Sequence, residues 1–185
     1  MVSVLKKGTN PGQPRGKKNI ILLFDFDKAK MERDEKGVTV TSLTMLSEAK
    51  PIGMFVNQNS IDAGDEVEGE AYARGFIHHV NFDHPGTDLE VAEFKANNVN
   101  ANLGAIVIDC DPKAATAKVY GTPCAPLVMQ QAQEQDTNEA CNNHFELRTE
   151  QRTYPVGIIA VSAIPVTDSA EINEFLGLKS TSTGV

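Results

Sequence analysis

The chain has 185 residues and a mass of 20.0 kDa, with 41% apolar and 23% charged residues. That suffices for one domain with a real core and is too apolar for a disordered chain. No apolar run approaches the ~20 residues of a membrane helix, and Met1 to Lys7 lacks the apolar stretch of a secretory signal. The three cysteines, Cys110, Cys124 and Cys141, form no CxxC pair. A zinc ribbon and a disulfide framework are therefore excluded, and free thiols in a reducing cytoplasm are expected.

The formal charge of −8 is unevenly spread. Residues 1–18 hold Lys6, Lys7, Arg15, Lys17 and Lys18 and no acid, leaving 12 basic against 25 acidic residues for the rest. An acidic body does not grip nucleic acid, whose binding depends on neutralising phosphates. The arm also carries Gly8, Pro11, Gly12, Pro14 and Gly16. It reads as a flexible basic leader, able to pair with the acidic body of a neighbouring copy.

Strand signals appear in chain order from residue 20 onward. Ile20 to Phe26 is a short apolar run, and Val38 to Leu43 alternates with β-branched residues. Ile52 to Val56 comes after Pro51. Gly75 to Phe82 puts Phe76, His78, Val80 and Phe82 on one face. Ala105 to Cys110, Lys118 to Tyr120, Leu127 to Met129, Phe145 to Thr149 and Val156 to Ser162 complete the set. Gly64-Asp65-Glu66 reads as a turn, and polar Gln130 to Asn143 as a long loop. Two helices are expected. One opens at Thr87 with Glu90 three residues on and runs from Asp88 to about Asn97; the other opens at Asp168 with Glu171 and closes at Gly177. Strands and helices do not alternate, which disfavours a doubly wound parallel sheet. The expected fold is mainly β with one or two helices, a β-sandwich or rolled barrel with a packed helix. Its divisions are a basic arm (1–18), a β body (19–166) and a C-terminal helix and tail (167–185).

Three constellations could carry chemistry. Ile20 to Asp27 ends in Asp25-x-Asp27 and resembles the first motif of haloacid-dehalogenase-like phosphatases, with Asp25 as nucleophile, Asp27 as acid/base and Mg²⁺ on the phosphate. That family needs a βαβ core, whereas here the motif leads into charged residues and strands. A second Asp-x-Asp, Asp109 and Asp111, also ends an apolar strand. His78, His79, Asp83 and His84 form the one metal-like group, but adjacent strand residues face opposite ways. The acidic run Asp62, Asp65, Glu66, Glu68 and Glu70 lacks the spacing of a calcium loop. No phosphate cradle or nucleophile elbow is present, and Cys110 reads as a small buried hydrophobe.

Many strands, a basic arm and an acidic body fit a self-assembling subunit better than an enzyme. From Arg33 to Pro165 the chain resembles the tail tube proteins of long-tailed bacteriophages, which share a fold with the Hcp-type tube proteins of contractile injection systems. The resemblance runs through Lys36-Gly37-Val38-Thr39-Val40, Glu68-Gly69-Glu70, Gly75-Phe76, the helix from Asp88 to Phe94, Lys118-Val119-Tyr120-Gly121, His144 to Arg152 and Val156 to Ala160. It implies a virion protein without enzymatic activity or cofactor, assembled in the host bacterium's cytoplasm alongside other tail proteins. Such proteins form hexameric rings whose inner sheets join into one barrel, and the rings stack into a tube. A tail terminator or head-decoration protein is a related possibility, and a secreted β-sandwich binding module a more distant one. A lumen lined with carboxylates repels phosphates, so DNA passes without tight binding. The candidate lumen residues are Asp62, Asp65, Glu66, Glu68, Glu70, Glu146 and Glu150, and the basic arm is assigned to contacts between subunits or rings.

Overall fold

The computed structural model of the chain describes residues 16–57, 59–111 and 115–178. In order come β1 (Ile20–Asp25), β2 (Ala29–Arg33), β3 (Val40–Met45), β4 (Ile52–Phe55), β5 (Asp62–Glu68) and β6 (Gly75–Pro85). Helix α1 (Leu89–Asn98) is next, then β7 (Leu103–Ile108), β8 (Thr116–Tyr120), β9 (Leu127–Asp136), β10 (Cys141–Thr149), β11 (Gly157–Ala160) and helix α2 (Ala170–Leu176). The fold is mainly β with packed helices, as the residue pattern leads one to expect.

The strands form two antiparallel groups. The first runs β4-β1-β7-β8-β11. The second runs β9-β10-β6-β5 and joins the first through one pair, Leu103 with Leu127. The β2–β3 hairpin stands apart and meets β11 through a bridge from Thr39 to Ile158.

Strands β1 and β7 explain the layering. Ile20 to Phe24 and Leu103 to Ile108 are buried without interruption, so both faces of these strands need a cover. On one face Ile21, Leu23, Ala105 and Val107 pack with Val80, Phe82, Phe145 and Leu147 of the second group. On the other, Leu22, Phe24, Ile106 and Ile108 pack with Val40 and Leu43 of β3 and Leu176 of α2. The result is three layers, with the first sheet in the middle. Phe82 and Phe145 stack at 5.2 Å between centroids, and Phe94 of α1 meets Phe145 edge-on.

Several expectations need correction. Gln130 to Asn143 is no loop: it is most of the β9–β10 hairpin. The inward residues Met129 and Ala132 are three apart, an odd spacing that a flat strand cannot accommodate. The register shifts between Glu146 and Leu147, so β9 carries an extra residue there and both side chains reach the core. Gly64-Asp65-Glu66 lies inside β5 rather than in a turn. The first helix starts one residue later than expected, after Asp88, and the second is capped by Ser169, whose Oγ accepts from Ile172 N at 3.3 Å. The expected end at Gly177 holds, with φ +74°. Strand β2 is an element that the residue pattern does not announce. Residues 16–18 are not a loose leader, since Lys18 N donates to Ile108 O and Cys110 N to Gly16 O, extending the ladder of β1 on β7. Nor is the C-terminal helix an appendage, since Leu176 and Leu178 are buried in the main core. Cys110 is exposed, as are Cys124 and Cys141.

Leu22 sits at the centre of the middle sheet with no exposed surface. Leu22→Ala is expected to cost about 2–5 kcal/mol, read from the urea midpoint at constant m-value.

Candidate functional site

The outer face of the second sheet is built by strict alternation. On β6, His78, Val80 and Phe82 turn inward and are buried, so His79, Asn81 and Asp83 turn outward. Pairing places Asp62 opposite Asn81, Gly64 opposite His79 and Glu66 opposite Ile77 on β5. On the other side, His144, Glu146 and Arg148 of β10 face Asp83, Asn81 and His79. Beyond them Gln133 and Gln131 of β9 face His144 and Glu146. The face is polar across four strands apart from Ile77 and Val128, which the register places at its end beside Glu66 and Arg148. Among the described residues it carries five carboxylates (Asp62, Glu66, Glu68, Asp83 and Glu146) against one guanidinium and two imidazoles.

These charges are cross-linked. Arg148 bridges Glu66 at 3.1 Å and also pairs with Glu68. His144 lies between two carboxylates, with Nδ1 2.6 Å from Asp83 and Nε2 3.3 Å from Glu146. The Asp83 hydrogen bond, with help from Glu146, raises the His144 pKa above the usual histidine value. His79 Nε2 lies 3.8 Å from Asp62. Every pair is partly solvated, so each contributes little stability by itself. A shallow pocket of about 270 Å³ opens among Asp62, Glu66, His79, Gln130, Glu146 and Arg148.

The structure gathers only some of the sequence candidates. Asp62, Glu66, Glu68 and Glu146 share the face. Asp65 does not: it points to the other side of β5, where Oδ2 accepts from Val156 N at 3.2 Å. Glu70 lies in the bend after β5 and Glu150 in the bend after β10, both exposed and off the ladder. Sequence reasoning misses Asp83, His144 and Arg148 as members of this face. The odd–even alternation of β6 and β10 is the available signal for them. Of the arm residues, Lys6, Lys7 and Arg15 lie outside the described residues. Lys17 is paired with Asp109, and Lys18 Nζ donates to Phe175 O at 2.8 Å.

The other constellations are occupied structurally. Asp25 Oδ1 accepts from Asp27 N at 2.9 Å and caps a short turn, while Asn102 Nδ2 donates to Asp27 at 3.2 Å. The turn leads into β2, which pairs with β3, and not into the helix of a βαβ core. His78 is fully buried. Its Nδ1 accepts from Gly121 N and its Nε2 donates to Tyr154 O, each at 2.9 Å, so the ring is neutral with the proton on Nε2. Burial lowers its pKa. His84 Nδ1 bonds Phe55 O at 2.8 Å. Among the described residues no group of three or more His, Cys, Asp or Glu is arranged to hold a metal ion.

No protein-family model matches the chain, and no curated protein or solved structure matches it significantly.

The two perturbed histidines pull stability in opposite directions with pH. His78 titrates lower in the folded than in the unfolded chain, so its contribution is complete above about pH 6.5 and is lost as pH falls below that value. His144 titrates higher when folded, so its contribution is complete below about pH 6.5 and is lost as pH rises through its folded pKa. In His144→Asn the unfolding free energy is expected to fall as pH drops from 7 to 5.5, the direction that the lowered pKa of His78 sets. Adding His78→Gln removes most of that fall. Urea titrations at stepped pH measure both.

Proposed function

We propose that the protein is a structural subunit of a phage-tail-like tube, assembling with copies of itself into rings whose lumen is the acidic sheet face. The observation that carries this reading is the four-stranded β9-β10-β6-β5 sheet. One face of it is sealed by the core, the other is polar and net acidic, and both lateral edges are open. Among the described residues no strand pairs with the outer edge of β5, and β9 meets β7 only at Leu127. Open edges of this length invite pairing, and closing a ring removes them.

Edge chemistry favours one mode of closure. Two β5 edges would bring Asp62, Asp65, Glu66 and Glu68 against each other, and like charges opposite one another are destabilising. On the outer face that it shares with Asp62, Glu66 and Glu68 the β9 edge offers Gln131, Gln133 and Gln135, which are neutral and can donate to carboxylates, while Glu134, on the other side of β9, is paired with Lys95. Pairing β5 of one copy with β9 of the next is head-to-tail, the kind of contact that gives a ring when its rotation closes. A channel lined with Asp62, Glu66, Glu68, Asp83 and Glu146 repels phosphate, so DNA slides rather than binds.

Negative-stain electron microscopy across a concentration series tests the reading. Hollow rings or tubes are the expected result, and small compact particles at every concentration would sink it. Replacing Asp83 and Glu146, which lie on β6 and β10 away from the closing edges, together by Lys is expected to leave rings assembled and to give DNA a measurable affinity that falls steeply with salt.

A further inference from the structure

A groove of about 550 Å³ lies between α2 and the β1–β4 ladder. Ile20 and Phe55, paired across that ladder, form its floor, and Ile172 and Phe175 of α2 form its wall. Gly53 permits this wall to approach: a Cβ there would come within 2.8 Å of Ile172. Phe55 and Phe175 are both about half exposed, at 49% each, an unusual cost for two aromatic rings on one surface. Glu171 and Glu174 stand on the rim. The groove is thus apolar at the bottom and acidic at the edge.

We infer that this groove receives the segment Met1–Lys7 of a neighbouring copy of the chain. The segment reads Met-Val-Ser-Val-Leu-Lys-Lys, with Val2, Val4 and Leu5 to fill an apolar slot and Lys6 and Lys7 to meet Glu171 and Glu174. It is the complement of the groove in both hydrophobicity and charge. Residues 8–15, rich in Gly and Pro, connect it to the folded body and span up to ~27 Å when extended. The groove of another copy fits better than the chain's own. Residues 16–18 stay on β7 beyond the end of the β1–β4 ladder, and Lys18 lies over Phe175, 5.4 Å from the ring centroid, so the arm leaves the body past the end of its own groove rather than along it. The inference rests on the self-association proposed above, and it adds to that reading a contact outside the ring-closing edges.

The test uses two full-length chains in which Cys110, Cys124 and Cys141 are replaced by Ser, all three being exposed. One carries Val4→Cys and the other Asn19→Cys, a lining position that leaves both rim carboxylates in place. Mixed and oxidised with glutathione disulfide, they are expected to form a disulfide-linked pair of the two chains. Adding Lys6→Glu and Lys7→Glu to the donor chain, outside the described body, is expected to lower the yield about tenfold. Leu5→Asp in the donor should lower it similarly. Micrographs of the same mixtures separate the two readings. Rings without the cross-link overturn the docking and leave the tube standing; absence of any association overturns both. A cross-link unaffected by the lysine and leucine changes also overturns the docking, because contact would then be indifferent to the chemistry of the segment.

Discussion

The structure depends on one demand, that β1 and β7 be buried on both faces. Neither strand offers a polar side to solvent, so an apolar layer must lie above and another below. The second sheet supplies one and the β2–β3 hairpin with α2 the other. The ladder partners β4 and β8 then satisfy the backbone of the middle strands, which have no water to turn to. Once that sandwich is closed, the second sheet has only one face left for solvent. The position and character of that face are set by the burial of strands that never touch it.

The central strands and the two helix ends are legible in the sequence because their signals are local. An apolar run bounded by Gly or Pro, or a Ser or Asp ahead of a Glu, needs no knowledge of the rest of the chain. The β9–β10 hairpin is hidden for a specific reason. Alternation carries the eye from Leu127 to Met129 and then fails, because the next inward residue is Ala132 and the intervening position belongs to a bulge. A run of Gln and Asn with broken alternation looks like a loop until its partner strand is known. Strand β2 is obscured in a similar way, since Lys30 and Glu32 face solvent and only Ala29 is fully buried.

The polar face is partly legible for the same physical reason. Acids in β5 are visible in the sequence, but whether two of them share a side depends on whether the segment is a strand or a turn. Reading Gly64 to Glu66 as a turn leaves Asp65 grouped with Asp62 and Glu66, although a strand sends it the other way. Asp83, His144 and Arg148 belong to the face through cross-strand register alone, and register is a tertiary property. The histidine cluster shows the converse. His78 and His79 are neighbours in sequence, yet one is a neutral core residue fixed by two hydrogen bonds and the other faces the carboxylates of the surface.

Gly121 stands just after β8, where the chain leaves the middle sheet for the second. Its amide donates to His78, its carbonyl lies 3.4 Å from an Arg33 guanidinium nitrogen, and its φ is +83°. A Cβ there would sit 3.1 Å from the Phe26 ring and 3.2 Å from the Leu103 carbonyl oxygen. Steric room, backbone handedness and hydrogen bonding on both sides of the residue all converge on a position that has no side chain. The corner between the two sheets is therefore a welded joint rather than a hinge. The relative setting of the acidic sheet and the middle layer is thus held at that corner by backbone contacts that no side-chain exchange elsewhere on the polar face would loosen.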